Sequence, residues 1–144
     1  MNVSADNSFS TFEFNSEGVI ELAIAEGASL KIEKLTTKNG VKSISNAEIV
    51  FYDYNADAFL LEDSTLTAED DKLYIPSVDS YIKLTAYDEA GNLLVGDWVY
   101  DWSEELGVGK LVLNAVPEPE AAAVLLGVLA LALAARRKKS NFLY

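Results

Sequence analysis

The stretch Asp97-Trp98-Val99-Tyr100-Asp101-Trp102 places three aromatic rings at alternate positions with carboxylates among them. On a strand, Trp98, Tyr100 and Trp102 point to one side, spaced about 6.6 Å apart. An exposed strip of that kind stacks on sugar rings, with Asp97 or Asp101 accepting hydrogen bonds from the sugar hydroxyls. The same pattern is also what a core strand presents, because large aromatic side chains dominate protein interiors. A surface for a partner is the third reading.

Two acidic clusters come next. Asp53-Tyr54-Asn55-Ala56-Asp57 carries oxygen ligands at alternate positions, as calcium loops do. The rest of that loop pattern is missing: Ala58 stands where a glycine is required, and Ser64 where the closing glutamate belongs. Glu69-Asp70-Asp71 is the second cluster. Both read as solvated loop charges, with weak Ca²⁺ binding as the functional alternative and no other cofactor or metal expected. Carboxylate pairs of the kind that hydrolyse glycosides exist in number, but spacing selects none of them.

The chain has neither cysteine nor histidine. Disulfides, thiolate metal sites, thiol nucleophiles and imidazole general bases are therefore excluded. There is no glycine-rich phosphate loop. These absences favour a non-catalytic protein. Of the 23 acids, 21 fall in residues 1–116, against seven of the 11 basic residues, a local balance of −14. A body so acidic repels nucleic acid.

The elements that carry these residues are short strands. Ile20, Leu22 and Ile24 alternate, as do Leu30 and Ile32, and residues 48–54 are rich in β-branched and aromatic types. Residues 81–87 alternate with period 2, and Gly91 supplies a turn before Leu93-Leu94-Val95, so residues 81–95 predict a β-hairpin. Lys110-Leu111-Val112-Leu113 predicts a last strand. Seven or eight such strands in about 100 residues define an all-β body, with a β-sandwich as the default. A short β-solenoid is the alternative. The pairs Leu30/Leu35, Ile44/Ile49 and Leu61/Leu66 repeat a five-residue apolar spacing, with starts 14 and 17 residues apart.

The body, residues 1–115, must stop before Pro117 and Pro119, which remove backbone donors and hold residues 116–120 extended. Residues 121–135 follow without a polar side chain: five Leu, two Val, seven Ala and one Gly. As a helix they extend roughly 22 Å at 1.5 Å per residue, against a hydrocarbon core of about 30 Å. The seven large residues favour insertion by roughly 2–4 kcal/mol, which makes a marginal single transmembrane helix. Arg136, Arg137, Lys138 and Lys139 then hold the tail, residues 136–144, on the cytoplasmic side. A buried, alanine-rich core helix is the competing reading, and a body of this size encloses one with difficulty.

Pro117-Glu118-Pro119, the apolar run and the basic cluster together resemble the PEP-CTERM sorting signal of Gram-negative bacteria, in the family's order and spacing. The resemblance covers residues 114–139 only. It implies a precursor held in the inner membrane with its body on the periplasmic side. An exosortase, a membrane-embedded cysteine transpeptidase, would recognise Pro117, Glu118 and Pro119 and cleave nearby. The product would pass to the cell surface or the extracellular matrix, where extracellular polysaccharide is the partner a carbohydrate-binding strip would meet. Such proteins start with a signal peptide. Residues 1–14 have no basic start and no apolar block, so Met1 is expected to be an internal start, or the chain to be the distal part of a longer protein; if neither holds, the sorting signal goes unused.

Overall fold

The computed structural model describes residues 1–15, 17–38, 46–115 and 129–135. Twelve strands follow one another in the described body: β1 (Asn2–Val3), β2 (Asn7–Phe14), β3 (Val19–Ile24), β4 (Leu30–Thr37), β5 (Glu48–Tyr52), β6 (Phe59–Leu61), β7 (Thr67–Glu69), β8 (Lys72–Ile75), β9 (Ser80–Tyr87), β10 (Leu93–Leu94), β11 (Gly96–Ser103) and β12 (Val108–Ala115). They form two sheets. The first has the order β1-β3-β5-β9-β8-β7, with β10 also on β9, and the second the order β11-β12-β6-β4-β2.

Connectivity decides between the two all-β architectures. From β1 to β6 the chain alternates between the sheets, and each strand lies parallel to the one before it in its own sheet. Asn2 sits beside Ala23, Glu48 beside Lys83, Asn7 beside Leu30 and Leu30 beside Phe59, so one turn takes 21 to 35 residues. That is the winding of a solenoid. Antiparallel pairs close it: β7–β8–β9, the β9–β10 hairpin, and β11–β12 laid against β6. The body is thus two facing sheets, as in a sandwich, but the first half is wound as a solenoid. The all-β body in two sheets is as expected; its parallel registers follow the solenoid alternative, and its closing antiparallel pairs are those usual in a sandwich.

The winding stacks like residues along the core. Ile20, Ile49 and Leu84 occupy one row, Leu22, Phe51 and Ala86 the next. From the other sheet come Leu30 beside Phe59 and Ile32 beside Leu61. Apart from half-buried Ile20, all of these belong to the buried cluster, each large side chain contributing about 1.5–3 kcal/mol by leaving water. The five-residue spacing of Leu30 and Leu35 also has a cause. Both are buried, although strict alternation would put them on opposite faces. Glu33 and Lys34 both face solvent, and the β2–β4 ladder skips Ser10 and Glu33, so regular pairing is interrupted there. Ile44, in the second spacing pair, lies outside the described residues.

The predicted hairpin is present. Gly91 takes φ 82°, and Asp88 closes the turn by accepting from the Asn92 amide at 2.8 Å. Those bonds, from the Asn92 backbone first and its side chain second, hold the Asp88 carboxyl below its usual value. Strand β12 ends at Ala115. Residues 129–135 are helical and exposed throughout, and none joins the buried cluster. Among the described residues no helix is long and apolar enough to cross a membrane. Pro117, Glu118 and Pro119, residues 121–128, and Arg136 to Lys139 lie outside the described residues.

Candidate functional site

The three rings of β11 do share a face, and that face is turned inward. Trp98 is 3% exposed, packed against Phe51 at 5.8 Å and Tyr54 at 5.3 Å between ring centroids. Tyr100 and Trp102 are half-buried on the same side, and the Tyr100 hydroxyl is held by the Asp63 carbonyl at 2.8 Å. Burial, and Asp63 beside it, push that phenol well above its ordinary range. A stacking platform needs open ring faces, and Trp98 has none. The sugar strip is therefore corrected to a core strand: β11 covers the end of the Phe51–Phe59 aromatic cluster, and only Asp97, Val99 and Asp101 look outward.

The acidic clusters serve turns. Asp53 and Asp70 adopt φ near 50°. The Asn55 side chain caps the Asp57 amide at 3.0 Å, and Asp57 pairs with Lys110 at 2.6 Å. Asp70 and Asp71 lend their carbonyls to the amides of Trp98 and Leu84, tying the β7–β8 turn to the body. Among the described residues no three acidic side chains converge on a point that could hold a metal ion.

A different surface gathers exposed chemistry. Because Ile49, Phe51, Ile82, Leu84 and Ala86 point into the core, alternation turns Glu48 and Tyr52 of β5 and Tyr81, Lys83, Thr85 and Tyr87 of β9 outward. Parallel register then sets Glu48 beside Lys83, and one step past Phe51–Ala86 it sets Tyr52 against Tyr87. Those two rings stack at 5.4 Å with an interplanar angle of 11°. Antiparallel register sets Tyr74 of β8 beside Tyr81, with ring centroids 4.8 Å apart. Carboxylates anchor one member of each pair. Tyr52 donates to Glu21 at 3.0 Å and Tyr74 to Asp79 at 2.7 Å. Each bond raises the donor's phenol above its ordinary value. Tyr81 remains 54% exposed.

The same face holds a cleft of about 350 Å³. Its origin is a gap in the ladder: β8 pairs with β9 up to Lys83 and β10 from Ala86 on, leaving Leu84 and Thr85 beside no strand on that edge among the described residues. The Leu84 amide turns to the Asp71 carbonyl instead, at 2.7 Å. Glu48, Asp71, Lys83 and Thr85 supply the polar lining, and Leu93 and Val95 form an apolar lip. Thr85 donates to Glu48 at 2.5 Å, while Lys83 makes no ion pair among the described residues. The volume lies at the small end of ligand sites. The arrangement offers hydrogen-bond donors and acceptors next to aromatic rings, which suits binding.

Sequence reading marked residues 81–87 as a half-buried strand but did not single out these tyrosines. Their pairing depends on registers between strands far apart in the chain, and only the period-2 alternation hinted at a shared face. No family model, no curated protein and no solved structure matches the chain.

Proposed function

We propose that the protein is a non-catalytic exported surface or matrix protein, delivered by the sorting signal at its C-terminal end. In this reading Pro117, Glu118 and Pro119 are the element an exosortase reads. Residues 121–135 hold the precursor in the inner membrane, and Arg136 to Lys139 stay in the cytoplasm. The acidic β body lies on the periplasmic side until cleavage sends it to the cell surface or extracellular matrix. The observation that carries the reading is the ordered triplet of Pro-Glu-Pro, apolar run and basic cluster. Two features support it. Strand β12 ends at Ala115, so the motif begins two residues after the folded body, within reach of another enzyme. Leu129, Leu131 and Leu133 are 57–74% exposed, apolar surface that lipid would cover.

The test is fractionation. With a signal peptide supplied, the full chain is expected in the membrane fraction of a host without exosortase, and as a shortened, released body when the enzyme is present. Removal of residues 117–139 moves the body to the soluble fraction. Unchanged fractionation after that deletion overturns the anchor.

A second reading, contact with extracellular polysaccharide, rests on the outward Tyr52–Tyr87 and Tyr74–Tyr81 pairs and the cleft between β8 and β10. It replaces the strip on β11 as the carbohydrate-facing surface.

A further inference from the structure

We infer that Tyr74 and Tyr81 form an oxidative coupling site, where a haem peroxidase working with hydrogen peroxide joins the two rings by a carbon–carbon bond. Antiparallel register sets Tyr74 of β8 beside Tyr81 of β9, with ring centroids 4.8 Å apart and planes tilted by 38°. Coupled phenol rings are likewise close and twisted, so the bond asks for little movement. Leu73, Ile75 and Ile82 are buried in the core, which fixes both strands beneath the rings. Tyr81 is 54% exposed and open to the oxidant. The Tyr74 hydroxyl donates to Asp79 at 2.7 Å. The turn between the strands brings Asp79 there: its backbone takes φ 48°, and its amide donates to the Pro76 carbonyl at 3.2 Å. Aspartate and asparagine adopt that conformation more readily than most residues.

Composition and contacts select this pair. The chain has no cysteine, no histidine and one methionine, so tyrosine and tryptophan are its main oxidisable side chains. Trp98 is buried. Tyr54 and Tyr100 are half-buried and donate to main-chain carbonyls, which are poor bases. Tyr74 donates to a carboxylate, which takes the phenol proton as the electron leaves, so a neutral radical forms without a phenol cation. Tyr81 loses its electron to the oxidant and its proton to water. The radicals couple between the ring carbons next to the hydroxyls, and the hydrogens on those carbons leave as the hydroxyls are restored. In all, two electrons and two protons leave the pair, and one hydrogen peroxide takes them up to become two waters. Tyr52 and Tyr87 also have a carboxylate, Glu21, but their rings are farther apart at 5.4 Å and nearly parallel at 11°, so a twisted bond between them needs more movement. The net charge of −12 keeps copies apart, which favours coupling within one chain.

The test treats the full chain with a haem peroxidase and hydrogen peroxide, then denatures it and digests it with trypsin. Cleavage after Lys72 and Lys83 leaves both tyrosines in one peptide, residues 73–83. The expected product is that peptide lighter by two hydrogens, with dityrosine fluorescence and no fragment ions from breaks between Tyr74 and Tyr81. Oxidation of methionine adds oxygen instead, and mass tells the two apart. Tyr81→Phe is expected to abolish the product. Asp79→Asn keeps the turn and should slow its formation several-fold. The synthetic peptide 73–83, without the strands that hold the register, should give several-fold less. An unaltered peptide under conditions that couple free tyrosine, a product that survives Tyr81→Phe, or an equal yield from the synthetic peptide overturns the inference. Coupling of Tyr52 to Tyr87, or of one chain to another, in place of this product also overturns it. A rate in Asp79→Asn equal to wild type overturns the proton transfer to Asp79. None of these outcomes depends on the sorting signal.

Discussion

The Tyr100 ring lies across Gly109 of the neighbouring strand, and a Cβ at position 109 would collide with the ring and its hydroxyl. The contact has a purpose. Tyr100 starts on β11, passes over β12 at this glycine, and shares its hydroxyl proton between the Asp63 and Leu61 carbonyls at 2.8 and 3.2 Å. One side chain thereby ties β11 to β6 across the strand that separates them. Gly109→Ala is expected to destabilise the body by about 1–3 kcal/mol through overpacking, and Tyr100→Phe by about 1 kcal/mol or more through the lost hydrogen bond. Urea unfolding measures both. A midpoint unchanged by Gly109→Ala would remove the close approach.

Alkaline pH should unfold the protein through the same residue. Burial raises the Tyr100 phenol, with Asp63 adding to it. Burial also raises Tyr54, an effect only partly offset by the Leu113 amide that donates to its hydroxyl. In the unfolded chain both phenols ionise near the ordinary value of 10.0. The folded state then binds the proton more tightly than the unfolded state. Stability from these groups is whole below pH 10 and is lost as pH rises through their folded values. Denaturant titrations between neutral pH and pH 11 should show stability falling above about pH 10, with a shallower fall in Tyr100→Phe. A flat profile in the wild type contradicts the burial of these hydroxyls.

Much of the body was legible in its residues. The hairpin at residues 81–95 announced itself because alternation flanks a turn with glycine at Gly91, and both signals are local. The spacing of Leu30 and Leu35 was visible as well, but its cause, an interruption in the ladder with β2, was not. The parallel winding was hidden because its registers join residues 21 to 35 apart across loops of unequal length. Alternation put Trp98, Tyr100 and Trp102 on one face without saying which face. That choice depends on Phe51 and Tyr54, which arrive from another part of the chain. The β2 strand was missed because Asn, Ser and Thr occupy half of Asn7–Phe14, and an edge strand tolerates them.

Core and surface aromatics should separate cleanly by mutation. Trp98→Ala removes a ring buried against Phe51 and Tyr54 and is expected to cost about 3–5 kcal/mol. Tyr81→Ala removes an exposed ring and should change stability by about 0.5 kcal/mol or less. Polysaccharide binding, followed by affinity electrophoresis in gels cast with acidic and neutral glycans, should respond in the opposite sense: retardation weakens in Tyr81→Ala and in Lys83→Ala. Retardation equal to wild type in both variants would take the outward tyrosine face out of the functional account.

Under the proposed function, recognition and anchoring lie in separate parts of the tail, and the two should break independently. A double variant, Pro117→Ala with Pro119→Ala, leaves the apolar run and the basic cluster intact. It is expected to accumulate at full length in the membrane of a host that has exosortase, because in the proposed function the anchor is kept and the recognition motif is gone. Replacing Arg136, Arg137, Lys138 and Lys139 with glutamine leaves the motif intact but removes the charges proposed to keep one end of the segment in the cytoplasm. At about 2–4 kcal/mol, the insertion energy of the apolar run is too small to hold its topology alone. That variant should lose the membrane fraction without needing cleavage, and protease added to spheroplasts should reach epitopes at both ends. If the proline variant is processed as fast as wild type, Pro-Glu-Pro is not what the enzyme reads. If the glutamine variant stays anchored with its tail protected, hydrophobicity alone sets the topology and the basic cluster has another role.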